Sequence, residues 1–275
     1  MTSNAVTDRR AGASRWTLRV VVLGYLAFLL ILPVAVILYR TFQHGLSPVM
    51  DALTTANAVH AYQVTAIVAG CAVILNTVFG VAAALLLVRH RFPGRRVLDA
   101  LIDLPIAVSP VVVGLALTLV YGRNTSVGGW LARQGVEIIF SLPGMVLATS
   151  FVALPLVMRA VVPVLEEIGD EQEQAAATLG ATAFQRFTRI TLPSIRGALA
   201  YGVVLSLARA LGEFGAVAVV SGRVVGKTET ASLYVLDLYN NFNQTGAYAA
   251  ATSLAVVAVL ALVASRFLRP KGSAA

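Results

Sequence analysis

Long apolar runs alternate with short polar segments along this chain. Six runs are candidates for membrane crossing, at positions 20–39, 64–88, 104–121, 138–158, 198–220 and 247–264. A helix needs roughly 20 apolar residues, about 30 Å at a rise of 1.5 Å per residue, to cross the hydrocarbon core of a bilayer. The runs are continuous, whereas barrel strands alternate apolar and polar positions. The pattern therefore predicts an all-α integral membrane protein with six transmembrane helices.

Composition agrees with this prediction. Of the 275 residues, 58% are hydrophobic and 12% are charged, whereas soluble domains carry about 25% charged residues. The first apolar run has no convincing small-residue cleavage site and five further runs follow it, so we do not interpret it as a signal peptide.

Basic residues are distributed unevenly between the predicted loops, and this predicts the orientation. Cytoplasmic segments of membrane proteins carry an excess of Lys and Arg. We therefore expect a cytoplasmic N-terminal segment 1–19, a six-span domain 20–265 and a cytoplasmic tail 266–275. Fifteen basic residues fall on the inner side: Arg9, Arg10, Arg15, Arg19, Arg89, Arg91, Arg95, Arg96, Arg159, Arg186, Arg189, Arg196, Arg266, Arg269 and Lys271. Five fall on the outer side: Arg40, Arg123, Arg133, Arg223 and Lys227. The same bias accounts for the net charge of +8, so the charge does not indicate nucleic-acid binding.

One long polar segment, residues 160–197, interrupts the apolar pattern on the inner side. It holds five acidic residues and three arginines, which add nothing to insertion into lipid. Apolar spacing predicts a first helix over about 164–179, and Gly180 is a suitable left-handed stop. Thr182 and Gln185 have the spacing of a capping box for a second helix, and Pro193 is expected to end it. Such an arrangement favours docking of a partner outside the bilayer over a merely solvated loop.

The residues of this segment resemble a known motif. Gln174-Ala175-Ala176, Gly180, Ile190 and Leu192-Pro193 match the EAA motif of bacterial ABC importer permeases with its spacing intact. The resemblance implies a type I ABC importer permease fold, in which this segment is the coupling helix that fits a cleft on a cytoplasmic ATPase subunit. It assigns ATPase coupling to Gln174, Ala175, Ala176, Gly180, Thr182, Phe184, Ile190, Leu192 and Pro193. The leading Glu of the motif is Gln174 here, so Glu171 or Glu173 are candidates to supply the missing charge.

Further blocks are similar to the sulfate/thiosulfate branch of these permeases, of the CysW type. They include Ala107-Val-Ser-Pro-Val-Val-Val-Gly114, Gly128-Gly-Trp-Leu131 and Arg209-Ala-Leu-Gly-Glu-Phe-Gly-Ala216. The last block also resembles molybdate permeases, so a molybdate or tungstate permease is the alternative. The resemblance implies four kinds of partner: a CysT-type permease subunit, two ATP-binding-cassette ATPase subunits carrying ATP and Mg, an extracytoplasmic sulfate-binding protein and the lipid bilayer. No cofactor is expected in this chain.

Arg209 and Glu213 are two ionisable residues within the fifth apolar run. They are four positions apart, which places them on one face of a continuous helix. Charges inside a membrane are costly and usually face a protein interior or a water-filled cavity. Two interpretations stay open: a mutually neutralising structural pair, or a direct role in the gate or passage of an anion, to which Arg209 could offer forked donors. Within the second, our hypothesis is that the pair positions the gate and does not form a static sulfate site.

Ser109 and Pro110 lie inside the third apolar run. Ser at an N-cap followed by Pro at the first helical position predicts a helix start there. A helix that starts within the membrane aims backbone N–H groups at an anion. The alternative is a kinked span with a packed cap.

Other chemistries find no support in the residue pattern. Cys71, His44, His60 and His90 are scattered and form no metal or nucleophile cluster. The segment 222–228 resembles a phosphate-binding loop but has three residues between its glycines where four are required. We therefore expect a transporter subunit without its own ATPase site, rather than an intramembrane enzyme. An ATP-independent secondary transporter would leave the polar segment 160–197 unexplained.

Overall fold

The computed structural model describes Trp16 and residues 18–268, without the side chains of residues 265, 266 and 268. All regular structure in this range is helical. The helices are α1 (Leu18–Phe42), α2 (Ser47–Leu53), α3 (Ala56–Arg89), α4 (Arg95–Ala107), α5 (Pro110–Tyr121), α6 (Ser126–Arg133), α7 (Leu142–Ile168), α8 (Glu171–Thr178), α9 (Ala183–Leu211), α10 (Gly215–Val220), α11 (Ala231–Asn240) and α12 (Gln244–Leu268). Five of them, α1, α3, α7, α9 and α12, are long and apolar enough to cross a membrane.

The third predicted span, 104–121, is wrong as a straight helix. It consists of α4 and α5, which meet at an angle of 113°. Pro110 has no N–H to donate and restricts the residue before it to an extended conformation. Val108 and Ser109 accordingly have ψ angles of 136° and 134°. Together the two helices are long and apolar enough to form a sixth crossing as a broken span.

The fifth predicted span, 198–220, is also wrong in its bounds. The helix starts earlier, at Ala183, and ends at Leu211, and the short helix α10 follows after a break. Gly212 lies in this break, with Glu213 and Phe214 beside it. The apolar run did not predict the break because its residues remain hydrophobic on both sides of Glu213.

Pro193 does not end a helix, contrary to our prediction. A π turn at Phe187–Thr191 precedes it, in which the Leu192 N–H bonds to the Phe187 carbonyl. The hydrogen-bond register changes at this turn, so the missing N–H of Pro193 disturbs the helix less than it would in a regular stretch. The first span repeats the arrangement, with a π turn at Ala27–Ile31 directly before Leu32 and Pro33.

Helix α7 is the centre of the packing. It contacts α3 and α9 along much of its length, and residues of α7 belong to the two larger apolar clusters of the core. A Cβ atom added at Gly80 of α3 would lie 3.0 Å from Val157 Cβ, and one added at Gly202 of α9 would lie 2.9 Å from Ala160 Cβ. Small residues at these crossings let the helix backbones approach closely, as is usual for helices in lipid.

Contacts between the helices determine which loops share an end of the bundle. Arg89 at the end of α3 reaches Leu165 near the end of α7. Ser253 and Thr252, near the start of α12, bond to Tyr62 near the start of α3 and to Thr41 near the end of α1, respectively. The ends of α3, α7 and α12 therefore lie at one end, together with the starts of α1 and α9. The described ends of the chain, residues 18 and 268, share that end with the turn formed by residues 169–186, which we call the knuckle.

Some of the predicted inner charges lie elsewhere. Arg159 is not in a loop, since α7 continues nine residues beyond it to Ile168. Residues Arg9, Arg10, Arg15, Arg269 and Lys271 lie outside the described residues, as does the side chain of Arg266. The predicted tails 1–19 and 266–275 therefore stay predictions.

Candidate functional site

Two helix breaks within the apolar part of the bundle lie against each other. One separates α4 from α5 at Ser109, and the other separates α9 from α10 at Glu213. A Cβ atom added at Gly215 would lie 3.0 Å from Pro110 Cβ, and one added at Gly114 would lie 2.8 Å from the Ala216 carbonyl oxygen. The structure thus brings the two predicted path elements to one place.

Arg209 and Glu213 form an ion pair across the second break. Arg209 Nη1 lies 2.7 Å from Glu213 Oε2. The two residues do not share a continuous helix as predicted, because α9 ends at Leu211. The pair forms since Glu213 turns back from the break, where its Oε1 also accepts a hydrogen bond of 2.9 Å from the Ala216 N–H. One carboxylate therefore joins the end of α9 to the start of α10.

The two partners of this ion pair differ in exposure. Glu213 is 3% exposed, whereas the Arg209 side chain is 38% exposed. A guanidinium has five N–H donors arranged as a fork, and the carboxylate does not occupy all of them. Arg209 can therefore offer donors to an anion while Glu213 holds its position.

Ser109 occupies the N-cap position of α5, as predicted, and Pro110 is the first helical residue. The Ser109 hydroxyl makes no capping hydrogen bond, so the predicted cap is present in backbone geometry only. The first N–H groups of a helix have no acceptor within the helix, and they carry the positive end of its dipole. The start of α5 adds positive potential beside the break that contains Glu213.

We expect Gly114→Val to disturb the contact between the two broken helices. A Cβ atom there would lie 2.8 Å from both the Ala216 oxygen and Val219 Cβ, so α5 and α10 must separate. Overpacking costs about 1–3 kcal/mol, which should lower the midpoint of thermal unfolding in detergent by roughly 3–10 °C. Gly70→Val is the matched control, because nothing lies within 4 Å of a Cβ atom at Gly70. Equal midpoints for the two variants would contradict the expectation.

Sequence reasoning missed a second ion cluster, which joins α4 to α7. Arg159 Nε donates to Asp103 Oδ1 at 2.8 Å, and Arg159 Nη2 lies 2.8 Å from Asp99 Oδ1. Asp99 and Asp103 are four residues apart and share a helical face, which is the signal that was available. The cluster borders a cavity of about 470 Å³ that Arg95 and Arg96 also line. The cluster joins α4, the first helix of the bent pair, to the central helix α7.

The knuckle confirms several local predictions. Gly180 has a φ of +85°, the left-handed conformation expected of a helix stop. The capping box of Thr182 and Gln185 is present in both of its hydrogen bonds. The first helix is shorter than predicted, because Gly169 ends α7 and α8 begins at Glu171. The predicted helix over 164–179 is therefore two helices.

The predicted coupling residues differ in exposure. Phe184 is 75% exposed and Leu179 is 89% exposed, so two large apolar side chains lie at the surface beside Gly180. Phe187, three residues after Phe184, packs against the core instead. The remaining members are exposed or half-buried: Gln174, Ala175, Ala176, Thr182, Ile190, Leu192 and Pro193.

The chain matches the family model described as "Binding-protein-dependent transport system inner membrane component" over residues 76–272. It is 48% identical over 257 residues to "Sulfate transport system permease protein CysW" of Synechocystis sp., covering 94% of this chain and 93% of the relative. The protein of the same name from Escherichia coli (strain K12) is 46% identical, over 88% of this chain and 84% of the relative. The chain belongs to the binding-protein-dependent transport system inner membrane components.

This chain is also similar to permease proteins of the CysT type. "Sulfate transport system permease protein CysT" of Escherichia coli (strain K12) is 38% identical to this chain, over 90% of this chain and 89% of the relative. The sequence identity of this chain to the CysW proteins of Synechocystis sp. and Escherichia coli is thus higher than its identity to this CysT protein. Both types are permeases of ABC transporters, and this chain is a membrane-embedded permease subunit of that class.

Solved structures confirm the fold of this permease. A bacterial ABC transporter that imports the acidic polysaccharide alginate matches with a TM-score of 0.78 at 18% identity, over 99% of this chain and 100% of that chain. The alginate ABC transporter in complex with a pentasaccharide-bound periplasmic protein matches with a TM-score of 0.77 at 18% identity, over 97% of both chains. The type I ABC importer permease fold expected from sequence is therefore confirmed.

Glu229 is a buried titratable residue at the end of the permease opposite the knuckle. Burial raises the pKa of its carboxyl above the ordinary value of 4.5, and the charge of Asp237 raises it further. The folded chain therefore keeps a proton that the unfolded chain releases, so this contribution to stability is full below the ordinary pKa and is lost as pH rises through the raised pKa. We expect Glu229→Gln to remove this loss of stability with rising pH. The measurement is the midpoint of thermal unfolding from about pH 4 to about pH 8. Parallel pH profiles for the variant and the wild type would contradict the expectation.

Proposed function

We propose that this chain is a permease subunit that carries sulfate, and thiosulfate, into a bacterial cell, driven by ATP hydrolysis on partner subunits. The observation that carries the proposal is the pair of broken helices with Arg209, Glu213 and Ser109 at their junction. Relatives that cover nearly the whole chain bear the name of sulfate permeases, and this supports the choice of anion.

The proposed path follows from the chemistry of a tetrahedral divalent anion. Such an anion enters lipid only where donors and positive charge replace its water shell. The exposed guanidinium of Arg209 and the free N–H groups at the start of α5 supply both. Glu213 is buried and would repel a bare anion, so we propose that the ion pair positions the gate and does not form a static binding site.

The proposed drive comes from outside this chain. Two ATPase subunits, which bind ATP and Mg, dock on the knuckles of this subunit and of a CysT-type partner, and an extracytoplasmic sulfate-binding protein delivers the anion. Helix α9 begins in the knuckle and ends two residues before Glu213. This continuous helix, which rises about 1.5 Å per residue, links the docking surface to the gate. Movement of the knuckle is transmitted to the gate along it.

The proposed location is the bacterial plasma membrane, with the knuckle and both termini in the cytoplasm. Labelling of Thr182→Cys from each side of the membrane tests this orientation. The native Cys71 is free and exposed, so the experiment needs a Cys71→Ser background. Labelling of Thr182→Cys from outside intact cells would refute both the orientation and ATPase docking.

Reconstitution tests the function itself. The complete complex in liposomes, with the binding protein, is expected to take up labelled sulfate only when ATP is present on the side of the knuckle. Unlabelled thiosulfate should compete with sulfate, and molybdate should compete weakly. Stronger competition by molybdate than by thiosulfate would favour the molybdate alternative. Uptake without ATP would favour a secondary transporter.

A further inference from the structure

Glu173 connects the knuckle to three other parts of the permease. Its Oε1 lies 3.1 Å from Arg89 Nη2, at the end of α3, and accepts a hydrogen bond of 2.9 Å from Thr191 Oγ1. Arg89 Nη1 in turn donates to the Leu165 carbonyl, near the end of α7, at 3.0 Å. One carboxylate thus joins α8 to α3, to α7 through Arg89, and to the π turn of α9.

This connection is shielded from water. The Arg89 and Glu173 side chains are 12% and 18% exposed, and Thr191 is buried. Ion pairs at exposed sites contribute little because water and salt screen them, whereas shielded pairs with further hydrogen bonds are held in one geometry. Removal of one partner leaves the other charge poorly compensated.

The neighbouring residue, Gln174, faces the other way. It is exposed, and its Nε2 donates to Asp170 Oδ2 at 2.8 Å within the knuckle itself. Successive residues of a helix are rotated by about 100°, which accounts for the opposite directions. Of the two acidic candidates for the charge missing at Gln174, Glu171 is exposed and Glu173 makes the internal connection.

Thr191 is the point at which this connection meets α9. It is the last residue of the π turn Phe187–Thr191. A π turn inside an α-helix is rare and is frequently found at a functional site. The far end of the same helix carries Arg209, 18 residues later and about 27 Å away at 1.5 Å per residue.

We infer that Glu173 is a positioning residue for transport: with Arg89 and Thr191 it transmits movement of the knuckle to the π turn of α9, and so to the Arg209–Glu213 pair. The inference rests on the proposed function. Without this connection, the knuckle can move with a docked ATPase while α3, α7 and the part of α9 from the π turn onward stay in place. ATP hydrolysis would continue and transport would lag behind it.

The test is the number of sulfate ions taken up per ATP hydrolysed by the reconstituted complex. Glu173→Gln removes the charge and keeps the shape, and we expect it to lower this ratio about tenfold with ATP hydrolysis nearly unchanged. Glu167→Gln is the matched control, because it is the same change in an exposed residue near the end of α7, just before the knuckle, and it should keep the wild-type ratio. Arg89→Gln and the double variant should both match Glu173→Gln, since residues that act through one connection do not add.

Two results would overturn the inference. One is a wild-type ratio in Glu173→Gln, and the other is a parallel loss of uptake and ATP hydrolysis, which indicates a purely structural role. If Glu173→Gln fails to assemble, Thr191→Val gives the answer, because it keeps the ion pair and removes the Thr191 hydroxyl, which donates to Glu173 at 2.9 Å and lies 3.5 Å from the Arg186 carbonyl oxygen. We expect a ratio lowered about threefold in that variant, and a wild-type ratio there would refute the inference. Failure of the wild-type complex to couple sulfate uptake to ATP refutes the proposed function instead, and the ratio is then measured with the anion that the wild type does transport.

Discussion

Arg209→Gln is expected to lower ATP-driven sulfate uptake by about a hundredfold or more. The variant leaves the Glu213 carboxylate buried without the guanidinium that lies 2.7 Å from it. Breaking a buried ion pair by removing one partner costs about 3–5 kcal/mol, and each 1.36 kcal/mol corresponds to a factor of ten. The measurement is initial uptake of labelled sulfate per amount of assembled complex.

A double variant distinguishes the two possible roles of Arg209. In Arg209→Gln/Glu213→Gln both charges are absent, so no buried carboxylate is left unpaired. If the pair positions the gate, the double variant should recover at least about tenfold of the lost uptake, since a neutral pair of similar shape is often tolerated. If Arg209 binds the anion directly, the double variant should stay as inactive as the single one.

The matched control for this prediction is Arg196→Gln. Arg196 lies in the same helix as Arg209 and is exposed. Uptake by Arg196→Gln is expected within about twofold of the wild type, because exposed charges contribute little. Equal losses in both arginine variants would show that the effect is a general response of α9 to a lost charge.

Local sequence signals predicted two features of the knuckle. The capping box at Thr182 and the left-handed Gly180 depend only on residues within one turn of each other. Helix caps and glycine stops act over this range, so the sequence contains all the information that they need. Four of the six apolar runs likewise predicted helices that differ from the structure mainly at their ends.

The contacts between distant residues were not predictable in the same way. Arg159 pairs with Asp99 and Asp103 across 60 and 56 positions of the chain. No local pattern indicates which helix lies beside α7, since lipid-facing and protein-facing surfaces of a membrane helix are both apolar. The ion pair of Glu173 with Arg89 was missed for the same reason.

Prolines illustrate the limit of a local rule. Pro110 breaks the chain into two helices at an angle of 113°, whereas Pro193 follows a π turn and lies within a continuous helix. Both residues lack the same N–H group. The difference lies in the preceding turn, whose last residue, Thr191, donates a hydrogen bond to Glu173. The rule that proline interrupts a helix predicted a break at both positions. Only Pro110 lies at a break in the structure.

Phe184→Ala is expected to weaken docking of the ATPase subunit by about 30-fold to 1,000-fold. Phe184 is 75% exposed, and Leu179, on the other side of Gly180, is also exposed. The half-buried Phe187 packs against the core and holds the turn in place. Exposed aromatic residues that fill a pocket on a partner contribute about 2–4 kcal/mol to binding. The fold of the knuckle should persist, because the capping box at Thr182 does not involve the Phe184 side chain.

Binding of the purified ATPase to the permease in nanodiscs measures the loss of affinity. Phe267→Ala is the control, since Phe267 is 85% exposed near the end of α12 and lies outside the knuckle. Wild-type affinity in Phe184→Ala, or an equal loss in Phe267→Ala, would place the docking surface elsewhere on this end of the bundle.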